Sequence, residues 1–308
     1  MLEAFPPAVT VAIPTLGREC VLLDTIEHVL RLQPAPAEIL VVDQTAQHEP
    51  ATTRYLDQWQ SAAAIRWLRR ERPSIPAAMN QALIEANAPV VLFLDDDVIP
   101  GVDLIAAHQA RYTDESVRAV VGQVLQPGQQ PTPSSGSPRG VGLRRDLEFQ
   151  FSGTEASTVA NVMAGNLSVR RDFALQVGGF DENFVGVAYR FETEFCRRLL
   201  KHGGTVMFEP GASIRHLAAA SGGTRAYGRH LTSANPAHSV GDYYFAMLQD
   251  TPGEAFKYFV CRCHKRPERQ HLSTPGGGAL RRQSSSMASC WNGSVGLWAV
   301  FRYGGSRV

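Results

Sequence analysis

The chain has 308 residues, of which 44% are hydrophobic and 19% are charged, and its formal net charge at pH 7 is +1. This composition is typical of a globular protein with a substantial core, and it excludes fibrous and largely disordered classes. A charge so close to zero provides no global field that favours nucleic acid as a partner. The five cysteines lack the spacing of a disulfide scaffold, so we expect a reducing, cytoplasmic location.

The start of the chain also argues against export. Its first nine residues contain an acidic residue and two prolines, which is untypical of a signal peptide. No segment approaches the roughly 20 consecutive apolar residues that a membrane-spanning helix needs. We therefore expect any membrane contact to be peripheral.

The first third of the chain alternates predicted strands and helices. Short β-branched runs at 9–13 and 38–42 indicate buried strands, and apolar residues at helical spacing over 22–30 lie between them. A helix at 77–86 and a strand at 89–94 repeat the pattern. This alternation predicts an α/β fold with a mainly parallel sheet and flanking helices.

The rest of the chain contains a long loop and a helical end. The segment 126–140 is rich in Pro, Gly, Ser and Gln, which predicts a mobile loop, and 191–202 has the spacing of a helix. Helical spacing returns within 242–263. We therefore expect a main α/β domain over 1–230 and a helical, basic, partly flexible extension over 231–308.

Three consecutive aspartates follow the strand at 89–94. Ligands of open parallel sheets bind outside the carboxyl ends of the strands, which is where this cluster lies. Alternation along the chain points Asp95 and Asp97 to the same side, and two such carboxylates suit Mg²⁺ or Mn²⁺. The alternative is a solvated turn or a helix N-cap, since aspartate is common at both.

A second acidic cluster opens the helix at 191–202. Glu192 and Glu194 lie in its first turn, where the helix dipole stabilises anions. Phe191 and Phe195 would anchor the inner face and hold Glu192 rigidly. The alternative is an ordinary acidic first turn.

Five segments in chain order resemble the motifs of family 2 glycosyltransferases of the GT-A fold. The segments are VTVAIPT at 9–15, VVD at 41–43, FLDDD at 93–97, GNLSVRR at 165–171, and GGFDE at 178–182 followed by the acidic helix. The resemblance covers residues 9 to about 216. It implies a GT-A-like α/β fold, with a mixed, mainly parallel sheet, flanking helices and a small helical C-terminal region.

The resemblance also implies roles for individual residues. Asp95 and Asp97 bracket a divalent cation, Mn²⁺ or Mg²⁺, and His216 is a metal ligand or, alternatively, a structural histidine. Glu192 is the general base, with Glu194 as the second candidate. In the donor site, Asp43 accepts a hydrogen bond from the nucleobase, which is uracil or another base. The residues expected to contact the nucleotide-sugar are Pro14, Thr15, Asp43, Asp95, Asp96 and Asn166.

The reaction that the resemblance implies is an inverting displacement at the anomeric carbon. The donor would be a UDP-, dTDP- or GDP-sugar, and the acceptor a hydroxyl of a glycan, a lipid-linked molecule or a polysaccharide precursor. A sugar-phosphate nucleotidyltransferase is an alternative, but the loop at 14–18 is poor in the glycines it would need. A non-catalytic nucleotide-sugar binding module is the other alternative.

Two further features leave alternatives open. Many relatives carry Arg at the position of Met79, so either Arg72 replaces that cation or Met79 is simply a core residue. From Gly253 onward there are nine Lys or Arg against two Glu, together with several aromatic residues. This basic, aromatic end either contacts the inner face of the membrane peripherally or is a solvated terminus.

Overall fold

The structure is a computed structural model, and it describes residues 6–133, 150–228, 235–249 and 251–264. Residues 134–140 of the predicted loop at 126–140 and all of the basic end after residue 264 lie outside these residues. The chain divides into two compact units, one formed by Met1–Glu182 with Phe191–Ala226 and the other by Asn183–Arg190 with Tyr227–Val308. No helix of the described residues is long and apolar enough to cross a membrane.

The first unit is built on one sheet. Its strands are β1 (Val9–Thr15), β2 (Glu38–Asp43), β3 (Arg66–Arg69), β4 (Val90–Leu94), β5 (Val98–Pro100), β6 (Val117–Leu125), β7 (Ser157–Thr158), β8 (Asn166–Arg170) and β9 (Thr205–His216). Its helices are α1 (Cys20–Leu30), α2 (Pro50–Ser61), α3 (Ile75–Glu85), α4 (Leu104–Arg111), α5 (Arg171–Gln176) and α6 (Phe191–Lys201).

The sheet has the order β3-β2-β1-β4-β8-β6-β9-β5, and β7 pairs with β9. Parallel pairing joins β1 to β2 and β4, β2 to β3, and β6 to β9. Antiparallel pairing joins β8 to β4 and β6, and β9 to β5 and β7. The predicted mixed α/β sheet with flanking helices is therefore confirmed.

The core explains why the strand runs are apolar throughout rather than alternating. All five residues of β4 are buried, as are most of β1 and β2, because helices cover both faces of the sheet. Thr15 at the end of β1 pairs with Asp43 at the end of β2, and β4 ends just before Asp95. Polar side chains of three neighbouring strands thus meet at one edge.

The second unit contains α7 (Val240–Met247) and α8 (Pro252–His264). A buried polar group joins them: the Tyr258 hydroxyl donates to Asp242 Oδ1 at 2.5 Å, and Arg190 Nε donates to the Tyr258 oxygen at 3.2 Å. Gly241 permits the close approach of α7 to residues 188 and 189, since an added Cβ would lie 2.4 Å from the Tyr189 oxygen. Val240 and Tyr243 of α7, with Phe259 of α8 packed against them, form the small core of this unit.

Candidate active site

Three side chains with oxygen or nitrogen ligand atoms converge where β4 and β9 end. Asp95 and Asp97 follow β4, and His216 is the last residue of β9. One ligand atom from each residue lies within 4.8 Å of the other two. His216 Nε2 is 3.1 Å from Asp97 Oδ1 and 3.8 Å from Asp95 Oδ2. Two carboxylates and an imidazole are ligands that suit Mn²⁺, so this group could hold a divalent cation.

His216 is oriented by hydrogen bonds at both ring nitrogens. Nδ1 lies 3.1 Å from Gln126 Oε1, an amide oxygen that only accepts, so Nδ1 carries a proton and Nε2 faces the two aspartates. Burial lowers the pKa of His216, but the hydrogen bond to Asp97 and the charge of Asp95 outweigh burial and raise it above the ordinary value. The imidazole therefore offsets part of the carboxylate charge.

Asp97 is held through its other carboxylate oxygen. Oδ2 accepts from the Ala219 amide at 2.8 Å and from Arg18 Nη2 at 3.3 Å, while its backbone oxygen accepts from the Leu217 amide. Burial acts to raise the pKa of Asp97, but the hydrogen bond from His216, its charge and the Ala219 amide outweigh burial and lower the pKa. Asp97 is therefore an ordered anion at the site.

Asp96 is not one of the three residues whose ligand atoms converge, and it lies in a bend after β4 where strand alternation no longer applies. Its Oδ2 accepts from Thr15 Oγ1 at 2.7 Å and its Oδ1 from Arg18 Nε at 3.1 Å. Burial raises the pKa of Asp96 to about 6, against the Arg18 charge and the Thr15 hydrogen bond. Thr25 holds the backbone oxygens of Asp96 and Val98. Asp96 therefore joins the end of β1 to the turn formed by residues 95–97, the aspartate turn.

Glu192 is connected to the aspartate turn through two backbone residues. Its Oε1 accepts from the Ala164 amide at 2.6 Å, and the Asp95 amide donates to the Gly165 oxygen at 3.2 Å. A Cβ added to Gly165 would lie 2.3 Å from Asp95 Oδ2, so only glycine allows this approach. The residue predicted as general base and a predicted cation ligand therefore flank the same short segment.

Glu194, the second candidate for the base, has a structural partner instead. Arg198 donates to both of its carboxylate oxygens, at 2.5 and 2.7 Å, and also donates to the Val177 oxygen. A bidentate pair of this kind fixes both oxygens. Glu194 is therefore held in an ion pair, and the choice of Glu192 as the general base stays a prediction.

Asp43 is fully buried and its carboxylate has internal donors. Oδ1 accepts from the Thr45 amide at 2.8 Å, and Oδ2 lies 2.9 Å from both His48 Nε2 and Trp67 Nε1. Arg69 Nε lies 3.8 Å from Oδ2. In this conformation the carboxylate organises the loop after β2, and the nucleobase contact expected of it stays a prediction.

Asn166, predicted to bind the donor, lies in the interior with an exposure of 0%. Its amide nitrogen donates to the Gln123 and Ala212 oxygens, and its side-chain oxygen lies 2.9 Å from His108 Nε2. Gly122 leaves the room for this side chain, because an added Cβ would lie 2.2 Å from the Asn166 nitrogen. In the structure, the side chain of Asn166 on β8 therefore links β6 and β9 through hydrogen bonds.

The sequence interpretation missed two residues that organise the site. Arg18, in the loop after β1, contacts both Asp96 and Asp97. Asn80 of α3 binds both the amide and the oxygen of Phe180, and so holds the turn before α6. Its neighbour Met79 is 1% exposed, which makes it a core residue. Neither Arg18 nor Asn80 stands out in the sequence, since α3 also contains Gln81 next to Asn80.

The segment after β9 lies against the loop after β1. The Gly223 amide donates to the Leu16 oxygen at 2.6 Å, and an added Cβ at Gly222 would lie 2.3 Å from the Gly17 oxygen. Gly17, Gly222 and Gly223 all have positive φ angles, which only glycine adopts readily. These glycines bring residues 217–223 over the aspartate turn.

A comparison with models of protein families finds a match. The family model described as "Glycosyl transferase family 2" matches residues 10–177, more than half of the chain. The comparison with curated proteins gives no match.

Three solved structures share the fold. GalNAc-T7 with UDP, GalNAc and Mn²⁺ has a TM-score of 0.57 at 15% identity, over 79% of this chain and 51% of its own. The mannosyltransferase PcManGT from Pyrobaculum calidifontis, in complex with GDP-Man and Mn²⁺, has a TM-score of 0.56 at 16% identity, over 99% and 77%. S. aureus TarS has a TM-score of 0.53 at 12% identity, over 82% and 42%. The chain therefore spans about half the length of the first and less than half of the third.

Proposed function

The chain belongs to glycosyl transferase family 2, and we propose that this glycosyltransferase moves a sugar from a nucleoside-diphosphate sugar to an acceptor hydroxyl with inversion at the anomeric carbon. The observation that carries the proposal is the group of Asp95, Asp97 and His216, with Glu192 bound to the backbone segment that contacts Asp95. The family match favours this activity over the nucleotidyltransferase alternative.

Asp95, Asp97 and His216 would hold Mn²⁺ or Mg²⁺ through two carboxylate oxygens and Nε2. Support comes from the ligand set itself and from GalNAc-T7 and PcManGT, whose structures contain Mn²⁺ together with UDP or GDP-Man. A bound cation would neutralise the charge that develops on the leaving diphosphate. His216 must give up its Nε2 proton to serve as a ligand, so acid weakens the site.

Glu192 would act as the general base. In this role it takes the proton of the acceptor hydroxyl while that oxygen attacks the anomeric carbon, and the bond from that carbon to the diphosphate oxygen breaks. The Ala164 amide holds Oε1 at 2.6 Å and so orients the carboxylate. Attack from the face opposite the diphosphate inverts the configuration.

We propose that the nucleoside lies over the carboxyl ends of β1 and β2, beside Pro14 and Thr15. Thr15 would act through Asp96, to which its hydroxyl donates. Asp43 would act by fixing the Thr45 amide and the Trp67 ring. The sheet edge suits a nucleotide because loops and helix N-termini converge there.

We also propose that the acceptor is a glycan or a lipid-linked molecule and that the second unit meets the membrane surface. Phe256 and Val260 lie one turn apart on α8, with side chains 68% and 36% exposed, and Lys257 lies beside them. Apolar side chains with basic neighbours suit an anionic lipid surface. Co-sedimentation with anionic vesicles that is equal for the wild type and Phe256→Ser would contradict the contact.

The test of the reaction is acceptor-dependent release of nucleoside diphosphate with Mn²⁺ present. Glu192→Gln should lower kcat by about 10² to 10⁴-fold, the usual contribution of a general base, and Glu194→Gln should change it far less. Asp97→Asn should lower activity by weakening the cation site. If Asp97→Asn and Glu192→Gln both leave release unchanged in a protein that still binds nucleotide, the glycosyl-transfer mechanism is wrong.

The donor is identified by thermal shift in the presence of Mn²⁺. A ligand at a hundred times its Kd stabilises the folded state by about 2.7 kcal/mol, which is readily measured as a rise in Tm. UDP-, dTDP- and GDP-sugars form the panel. No rise with any of them would contradict the proposal that the site binds nucleotide-sugars.

A further inference from the structure

We propose that Arg18 is a positioning residue that orients Asp97 toward the cation site and fastens residues 217–223 to it. This inference rests on the cation site of the proposed function. Arg18 is 5% exposed and lies in the loop between β1 and α1, outside the group of ligand atoms. It acts through Asp97 rather than on a substrate.

The guanidinium of Arg18 donates in three directions. Nε donates to Asp96 Oδ1 at 3.1 Å, Nη2 donates to Asp97 Oδ2 at 3.3 Å, and Nη1 donates to the Ser221 backbone oxygen. Because the group is planar, its donors keep a fixed geometry relative to one another. One rigid side chain therefore sets the relative positions of two aspartates and a backbone segment.

The two carboxylate oxygens of Asp97 have different partners. Oδ2 is engaged by Arg18 and by the Ala219 amide, so Oδ1 is the oxygen turned toward His216 Nε2, 3.1 Å away. Rotating the carboxylate would break two hydrogen bonds in a side chain only 2% exposed. Arg18 thus helps to fix the plane of the Asp97 carboxylate so that one oxygen faces the cation site.

The same arginine holds the segment that supplies the second donor to Asp97. It binds the Ser221 oxygen, two residues after Ala219, and a Cβ added to Gly222 would lie 2.7 Å from Arg18 Cδ. Gly223 is fastened nearby through Leu16. Loss of the guanidinium would therefore loosen the Ala219 amide as well as the direct contact.

The charge of Arg18 and its geometry predict opposite effects on cation affinity. A buried positive charge beside Asp97 repels a divalent cation, so removing the charge alone should tighten binding. Losing the groups that orient a ligand typically weakens metal binding about 10 to 100-fold. Weaker cation binding in an Arg18 variant would therefore indicate that Arg18 orients Asp97, and tighter binding would indicate that it acts mainly through its charge.

The experiment measures Mn²⁺ binding to the full chain by electron paramagnetic resonance, with thermal unfolding as the check of folding. Both Arg18→Gln and Arg18→Lys should raise the Kd for Mn²⁺ about 10 to 100-fold, because neither side chain can bridge all three acceptors. Arg31→Gln is the matched control, since Arg31 is 72% exposed and pairs only with Glu27 among the described contacts. Its Kd should equal that of the wild type.

The outcomes separate the inference from the function on which it rests. If the wild type fails to bind Mn²⁺, or if Asp97→Asn binds it as tightly as the wild type does, the assignment of the cation site is wrong. If Asp97→Asn loses binding while Arg18→Lys keeps the wild-type Kd, the positioning role is wrong. A tighter Kd in Arg18→Gln would also overturn it. Should Arg18→Gln fail to fold, Arg18→Lys decides.

Discussion

Replacing Gly165 with alanine should damage the site while leaving the fold almost intact. The new Cβ would lie 2.3 Å from Asp95 Oδ2, 2.7 Å from its Cγ and 3.2 Å from its Oδ1. An ordinary contact needs at least 3.4 Å, so Oδ2 must move by about 1 Å. The Asp95 side chain is 50% exposed and can turn into water, so we expect a stability loss below about 1 kcal/mol.

The same displacement is costly for function. A 1 Å misplacement in an active site typically costs about 10²-fold in rate, and a misplaced cation ligand weakens binding by about 10 to 100-fold. We therefore expect kcat/KM to fall about 10²-fold, measured as nucleoside-diphosphate release over a range of Mn²⁺ concentrations. Excess Mn²⁺ should restore part of the loss.

Two other glycines provide the controls. Gly253→Ala should be neutral, because the nearest atom to its added Cβ is 3.9 Å away. Gly122→Ala should destabilise the fold, since its Cβ would lie 2.1 Å from the Ala212 backbone oxygen. If Gly165→Ala keeps wild-type activity and Mn²⁺ affinity, the contact between Gly165 and Asp95 does not shape the site.

Three further predictions concern buried polar groups. Burial lowers the pKa of His108 to about 4. Between pH 6.5 and about 4 the unfolded state therefore binds more protons than the folded state. The free energy of unfolding falls as the pH is lowered through this window, by up to roughly 3 kcal/mol. Denaturant unfolding should show a smaller loss over this window in His108→Gln, and equal losses would contradict the assignment. In Asp43→Asn, the side-chain NH₂ group would face N–H donors that now bind the carboxylate. We therefore expect the fold to lose about 1 to 3 kcal/mol of stability and the Trp67 fluorescence emission to shift. Unchanged stability would refute the buried network. Tyr258→Phe removes a hydrogen bond to the buried Asp242 carboxylate and should cost about 2 kcal/mol in chemical unfolding, whereas a cost near zero would mean that water replaces the hydroxyl.

The sequence was sufficient for the family, the GT-A-like fold and the position of the aspartate cluster. Continuous apolar runs predict β1, β2 and β4 because strands covered on both faces have no polar side to alternate with. The strand predictions need only neighbouring residues, which is why they succeed. Asp95, Asp96 and Asp97 lie in a bend after β4, where strand alternation no longer applies, and Arg18 binds Asp96 and Asp97 together.

Side-chain partners that are distant in sequence were not predictable in the same way. Arg18 lies 78 residues from Asp96, and Asn80 lies 100 residues from Phe180. Asn166, expected at the donor site, is buried, and its side chain has partners on two strands and on α4. A polar residue at the end of a strand can face either the site or the interior, and sequence spacing does not distinguish the two.

The central claim is that Asp95, Asp97 and His216 hold the cation that faces the donor diphosphate. Crystals grown with Mn²⁺ and a nucleoside diphosphate test it directly through the anomalous signal of manganese. We expect a single strong peak within bonding distance of Asp95 Oδ2, Asp97 Oδ1 and His216 Nε2, next to the diphosphate. A manganese peak elsewhere beside a bound nucleotide would contradict it.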